Sequence, residues 1–137
     1  TMSTLAVGTI KSVSSAAPVF QNTSGVEKGQ LAKAWCNMNC QSTPAFRDSF
    51  NFSSITDHGT GDFELSFTNA MSNANYAVTG SNVGATSNSF STIFGDTSGS
   101  PVSNQLQTGS VRFKTPAMSN ALTLQDTDFI HCVIHGD

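Results

Sequence analysis

Charge is what this sequence has least of. Only 11% of its 137 residues are Asp, Glu, Lys or Arg, against about a quarter in ordinary globular chains. With six basic and nine acidic side chains, no cationic excess exists to neutralise phosphates or to be drawn to anionic lipid, so neither nucleic acid nor a membrane surface is an expected partner. Long apolar runs are missing too. None approaches the roughly 20 residues that cross a bilayer, and Thr1 to Ala17 has neither the basic start nor the hydrophobic centre of a signal peptide. The chain therefore reads as a piece of a longer protein whose start lies upstream of Thr1. Cysteine is scarce and odd in number: Cys36, Cys40 and Cys132 permit at most one internal disulfide and suit thiols made in a reducing cytoplasm. Helical periodicity is also absent, since no 11-residue window carries an apolar stripe of helical spacing.

What is present is hydroxyl and amide. Ser, Thr and Asn make up about a third of the chain, a composition that suggests disorder until the apolar residues are counted. Ten Phe, one Trp and regularly spaced Val, Leu and Ile supply enough surface to close a core, and the length fits one ordinary domain.

Along the chain, residues 1–30 read as a lead-in. Leu5-Ala6-Val7 and Thr9-Ile10 predict a short strand, Pro18 suits an edge or loop, and Asn22-Thr23-Ser24-Gly25 is a turn. Residues 31–137 read as the β-rich body. Its segments are a Trp35-containing strand, Phe50-Asn51-Phe52 leading to Ile55, a turn at Asp57 to Asp62, and Phe63-Glu64-Leu65-Ser66-Phe67. Tyr76-Ala77-Val78 and Phe90 to Phe94 follow. Ser110 to Lys114 comes next, with Val111 and Phe113 inward and Arg112 and Lys114 outward. Leu122-Thr123-Leu124 and Asp128 to His135 finish the chain, the last as an apolar run expected to be covered on both faces. Eight or nine short strands with turns every eight to twelve residues predict an all-β, antiparallel β-sandwich, jelly-roll-like in kind, because two sheets must cover each other's apolar face.

Four motifs occur in order: Lys33-Ala34-Trp35-Cys36-Asn37-Met38-Asn39, Arg47-Asp48-Ser49-Phe50-Asn51, Ser53 to Asp62, and Ala74-Asn75-Tyr76-Ala77-Val78. This succession resembles the C-terminal domain of bacteriophage tail-fibre and related virion structural proteins. The resemblance covers roughly Pro18 to Asp137. Cys40, Pro44 and the ending Phe129 to Asp137, with its two histidines, depart from the family pattern. The resemblance implies a virion component assembled in the host cytoplasm: a fibre-tip module, homotrimeric, joined to other virion or tail proteins. It would bind a bacterial surface receptor, a glycan above all or else a protein. A capsid or tail decoration protein without a specific receptor is the alternative, and a fibre-borne glycan hydrolase is a third reading.

The residues themselves point away from catalysis and cofactors. Asp57 to Asp62 carries two carboxylates where calcium wants six or more oxygens, and a hairpin needs Asp and Gly there in any case. His131 and His135 lie roughly 13 Å apart if extended, too far to share one metal ion within a chain, although copies of one histidine could meet on a threefold axis. No Gly-x-Ser-x-Gly elbow occurs, and Asp57-His58 are merely adjacent. Asp48, Asp57, Asp62, Glu64 and Asp96 could supply a glycosidase pair only if the fold spaced them correctly. Phe50, Phe52, Phe63, Leu65, Phe67 and Phe113 are expected in the core. A receptor surface is expected in the polar loops holding Asn82, Thr86 and Asn88 and holding Asp96 and Thr97.

Overall fold

The computed structural model describes residues 4–13, 18–83, 90–91, 105–117 and 120–136. The chain divides into two compact units, Thr1–Leu31 and Ala32–Asp137. In the first unit β1 (Phe20–Gln21) and β2 (Glu27–Gly29) form an antiparallel hairpin. Asn22 builds its turn: the side-chain Oδ1 accepts the backbone N–H groups of Ser24 and Val26 at 3.0 and 2.9 Å, and Gly25 takes the positive φ that costs glycine nothing. The strand expected at Leu5 to Ile10 does not form. Residues 4–13 contain no strand, and Leu5, Val7 and Ile10 are exposed, because alternation alone gives the backbone no partner.

The second unit is all-β and antiparallel, with no helix among the described residues. One sheet has the order β4 (Ala45–Phe50), β3 (Ala34–Asn39), β12 (Phe129–His135), β7 (Ala77–Val83), β8 (Phe90–Ser91). The other has the order β5 (Phe52–Gly59), β6 (Asp62–Phe67), β9 (Ser110–Lys114), and β10 (Pro116–Ala117) pairs with β11 (Asn120–Leu124). The two larger sheets make a sandwich-like arrangement whose filling follows the period of two that strands impose. Ala34, Cys36 and Met38 from β3 and Ile130, Cys132 and Ile134 from β12 share one core with Phe63, Leu65 and Phe67 of β6 and Val111 and Phe113 of β9. Met71 and Tyr76, between β6 and β7, belong to the same cluster. Tyr76 stands edge-on to Phe67, and its hydroxyl lies 2.9 Å from the Gln107 carbonyl and 3.0 Å from that of Ser110, to which it donates. An apolar ring with a satisfied polar tip is the form in which tyrosine tolerates burial.

Three expectations are corrected here. Phe50 is not core: it is 53% exposed. Phe50-Asn51-Phe52 is not one strand either, because the chain changes sheets there. Asn51 takes φ 61°, a left-handed conformation that asparagine tolerates better than most residues. The corner is held by Asn51 Nδ2 donating to the carbonyls of Lys33 and Asn69 at 3.0 and 3.1 Å, and by Asn51 Oδ1 accepting the Asn69 N–H at 2.8 Å. Finally, β12 is covered on one face only. It alternates exposed Phe129, His131, Val133 and His135 with buried Ile130, Cys132 and Ile134, so its apolar run includes a solvent-facing set.

The hairpin expected at Asp57 to Asp62 is present, joining β5 to β6. Gly61 is required in it: φ is 64°, and a Cβ there would lie 2.7 Å from the Gln125 nitrogen. Its N–H donates to Asp126 Oδ1 at 2.7 Å, and its carbonyl accepts the Thr115 N–H at 2.8 Å. The turn is thereby clamped to the chain on either side of the β10–β11 pair.

Candidate binding face

The outer face of the five-stranded sheet gathers the unusual surface chemistry of the second unit. Register aligns Phe50, Trp35, Val133 and Thr79 in one row across β4, β3, β12 and β7. The next row is Asp48, Asn37, His131 and Ser81. The large apolar side chains exposed among the described residues of this unit are Trp35, Phe50, Val83, Phe129 and Val133, and all five lie on this face. Phe129 and Val83 are themselves register partners.

A bulge in β4 orders one corner of the face. The register of β3 against β4 shifts between Asn37 and Met38, leaving Arg47 as the extra residue. Arg47 Nη1 donates to the Asp128 carbonyl at 2.6 Å, and the guanidinium lies 4.0 Å above the Phe129 ring. That ring in turn lies parallel to His131, with centroids 6.1 Å apart. In the middle of the polar row, Asn37 Oδ1 is shielded from solvent and meets no donor. An aromatic and aliphatic row beside a row of amide, hydroxyl, imidazole and carboxylate groups can stack against one face of a flat ligand and hydrogen-bond its edge.

The outer face of the three-stranded sheet is of another kind. Arg112 makes two hydrogen bonds of 2.8 Å to Asp62, and the Lys114 ammonium lies 3.9 Å from the same carboxylate. Glu64 accepts from Ser110 Oγ at 2.6 Å and lies 2.9 Å from His58 Nε2. The Arg112 guanidinium holds Asp62 below the usual carboxylate range, and the Ser110 hydroxyl, followed by His58, does the same for Glu64. Both carboxylates are therefore ionised at neutral pH. The group reads as ion pairing that closes a sheet face.

Only some of the sequence-predicted residues fall among those described. Asn82 is not in a displayed loop: it is fully buried within β7. Thr86, Asn88, Asp96 and Thr97 lie outside the described residues. His131 and His135 both fall on the outer face of β12, and no group of three or more His, Cys, Asp or Glu that could hold a metal occurs among the described residues. Asp57 is occupied locally, its Oδ1 accepting the Gly59 N–H at 2.8 Å. Sequence reasoning missed the sheet face, although the signal was there in parity. Trp35 shares its side of β3 with Asn37 and Asn39, and Phe50 shares its side of β4 with Asp48. Comparison with protein-family models, with curated proteins and with solved structures finds no match.

Proposed function

We propose that this chain is a binding module of a bacteriophage fibre, carried on the virion and acting by attachment to a bacterial surface glycan and not by catalysis. The observation that carries the reading is the outer sheet face, on which Trp35 and Phe50 stand beside Asn37, His131 and Ser81. Saccharides offer C–H faces to aromatic rings and hydroxyl edges to amides, so a ring row flanked by a polar row matches them chemically. The motif succession from Lys33 to Val78 adds the fibre assignment by resemblance, and with it the homotrimer and the other virion proteins as partners. A trimer repeating one weak site raises avidity without any strong single contact.

Ala34 pairs with Ile134 at one end of the β3–β12 ladder, and Val83 pairs with Phe129 at the other end of β12.

The decoration-protein reading is favoured by one observation of its own: the exposed apolar row can dock on a neighbouring virion protein. A single experiment separates the two. Trp35 is the only tryptophan, so intrinsic fluorescence reports on this face alone. Titration with polysaccharide from candidate host bacteria is expected to shift the emission and protect it from acrylamide at unchanged molecular mass. Trp35→Ala, followed by calorimetry, is expected to weaken binding about 10-fold or more. Saccharide binding that leaves the emission unmoved removes the face from the proposal; no binding to any host polysaccharide removes the receptor role.

A further inference from the structure

The interior contains a pair of thiols that the binding reading does not use. Cys36 on β3 and Cys132 on β12 are direct register partners, both point into the core, and their sulfurs lie 3.3 Å apart. β3 and β12 are interior strands, each flanked on both sides in the five-stranded sheet. The third thiol, Cys40, is four residues further along the chain from Cys36, roughly 13 Å away in an extended run and beyond the reach of a disulfide to it. We infer that Cys36 and Cys132 form a covalent modification site, closed by a small peroxide into one cross-strand disulfide while Cys40 remains a thiol.

A sulfur–sulfur bond is about 2.05 Å long, so the two atoms must approach by roughly 1.3 Å. The two sulfurs share a hydrogen bond in which either can donate, so one can lose its proton while the other keeps it. That thiolate attacks one oxygen of hydrogen peroxide, the O–O bond breaks, and hydroxide leaves with a sulfenic acid on the attacking sulfur. The partner thiol then attacks that sulfur, the S–O bond breaks, and the second oxygen departs as water once the partner's proton is transferred. Two thiols lose two electrons and two protons, and one peroxide becomes two waters. Burial selects the oxidant: a water-sized peroxide can reach sulfurs that a bulky disulfide reagent cannot. Cys40, pushed up to about 12 by burial, carries little thiolate at neutral pH.

The consequence is a chain that carries a dithiol where it is synthesised and a staple once it meets an oxidising exterior. This inference stands independently of the ligand proposed above. The test exposes the reduced, folded protein to hydrogen peroxide, then combines intact mass with peptide mapping under non-reducing conditions. The expected result is the loss of two hydrogens, one cross-linked peptide containing Cys36 and Cys132, and a Cys40 that alkylates after denaturation. Dithiothreitol should reverse the mass change, and Cys40→Ala should behave as the parent does. A bridge that includes Cys40, added oxygen without the loss of two hydrogens, or three thiols still titrating in denaturant would each overturn the proposal. Because the mapping is made on the parent chain, the result does not depend on any variant folding.

Discussion

At the scale of single residues, Asn51 holds a corner of the architecture through its own side chain. It sets the corner at which the chain leaves β4 for the opposite sheet, and its side chain bonds to backbone on two separate segments, at Lys33 and Asn69. Two contributions are combined there, a left-handed backbone and a set of hydrogen bonds, and substitution can separate them. Asn51→Ala loses both and is expected to cost about 3–5 kcal/mol, from roughly 0.5–1 kcal/mol for each of the three hydrogen bonds and about 1–2 for the backbone. Asn51→Gly keeps the backbone freedom and should recover about 1 kcal/mol of that loss. Urea-unfolding midpoints of the two variants check this; equal midpoints would mean that the conformation contributes nothing. The identity of this residue was legible only as a polar break between Phe50 and Phe52. Its role depends on Lys33 and Asn69, each 18 positions away, and no local pattern contains that information.

At the scale of elements, strands with a polar alternate were the most legible. Ser110 to Lys114 buries Val111 and Phe113 and turns Arg112 and Lys114 outward, and Phe63, Leu65 and Phe67 are core. β12 was misread because apolar content was taken as burial. Phe129 and Val133 belong to an exposed face, and composition does not distinguish a covered apolar face from an open one. The charged face of β6 and β9 yields a prediction at this scale. Asp62 and Glu64 have folded pKa values below their ordinary 3.8 and 4.5, so the unfolded chain binds protons first as the solution is acidified. The stability from these pairs is therefore fully present above about pH 5 and is lost as pH falls through the lower folded values. Asp62→Asn should be less stable than the parent at pH 7, and the gap should narrow steadily toward pH 3 in urea titrations. A gap independent of pH would show that Asp62 acts through shape and not through charge.

At the scale of the whole molecule, the all-β antiparallel sandwich was readable from strand spacing, whereas the location of the proposed binding face was not. Loops were the natural place to look for recognition, yet Trp35 and Phe50 lie on strands, brought together by the pairing of β3 with β4. Assembly belongs to this scale too. Should three copies associate through the outer face, Trp35 becomes protected from acrylamide in step with a threefold rise in mass by light scattering. If they associate elsewhere, the mass rises and quenching stays as in the monomer. A mass that a chelator lowers would place His131 or His135 at an axis around a metal.

The pairing of Ala34 with Ile134 also decides how this unit answers a pull. Force applied between its two ends enters at neighbouring residues of adjacent antiparallel strands, so it peels β3 from β12 one rung at a time instead of loading every rung together. Such a zipper opens at low tension, unless Cys36 and Cys132 are joined. A cross-link two residues in from Ala34 and from Ile134 would stop the tear almost where it starts, and the reduced and oxidised chains would differ far more in mechanical strength than in shape.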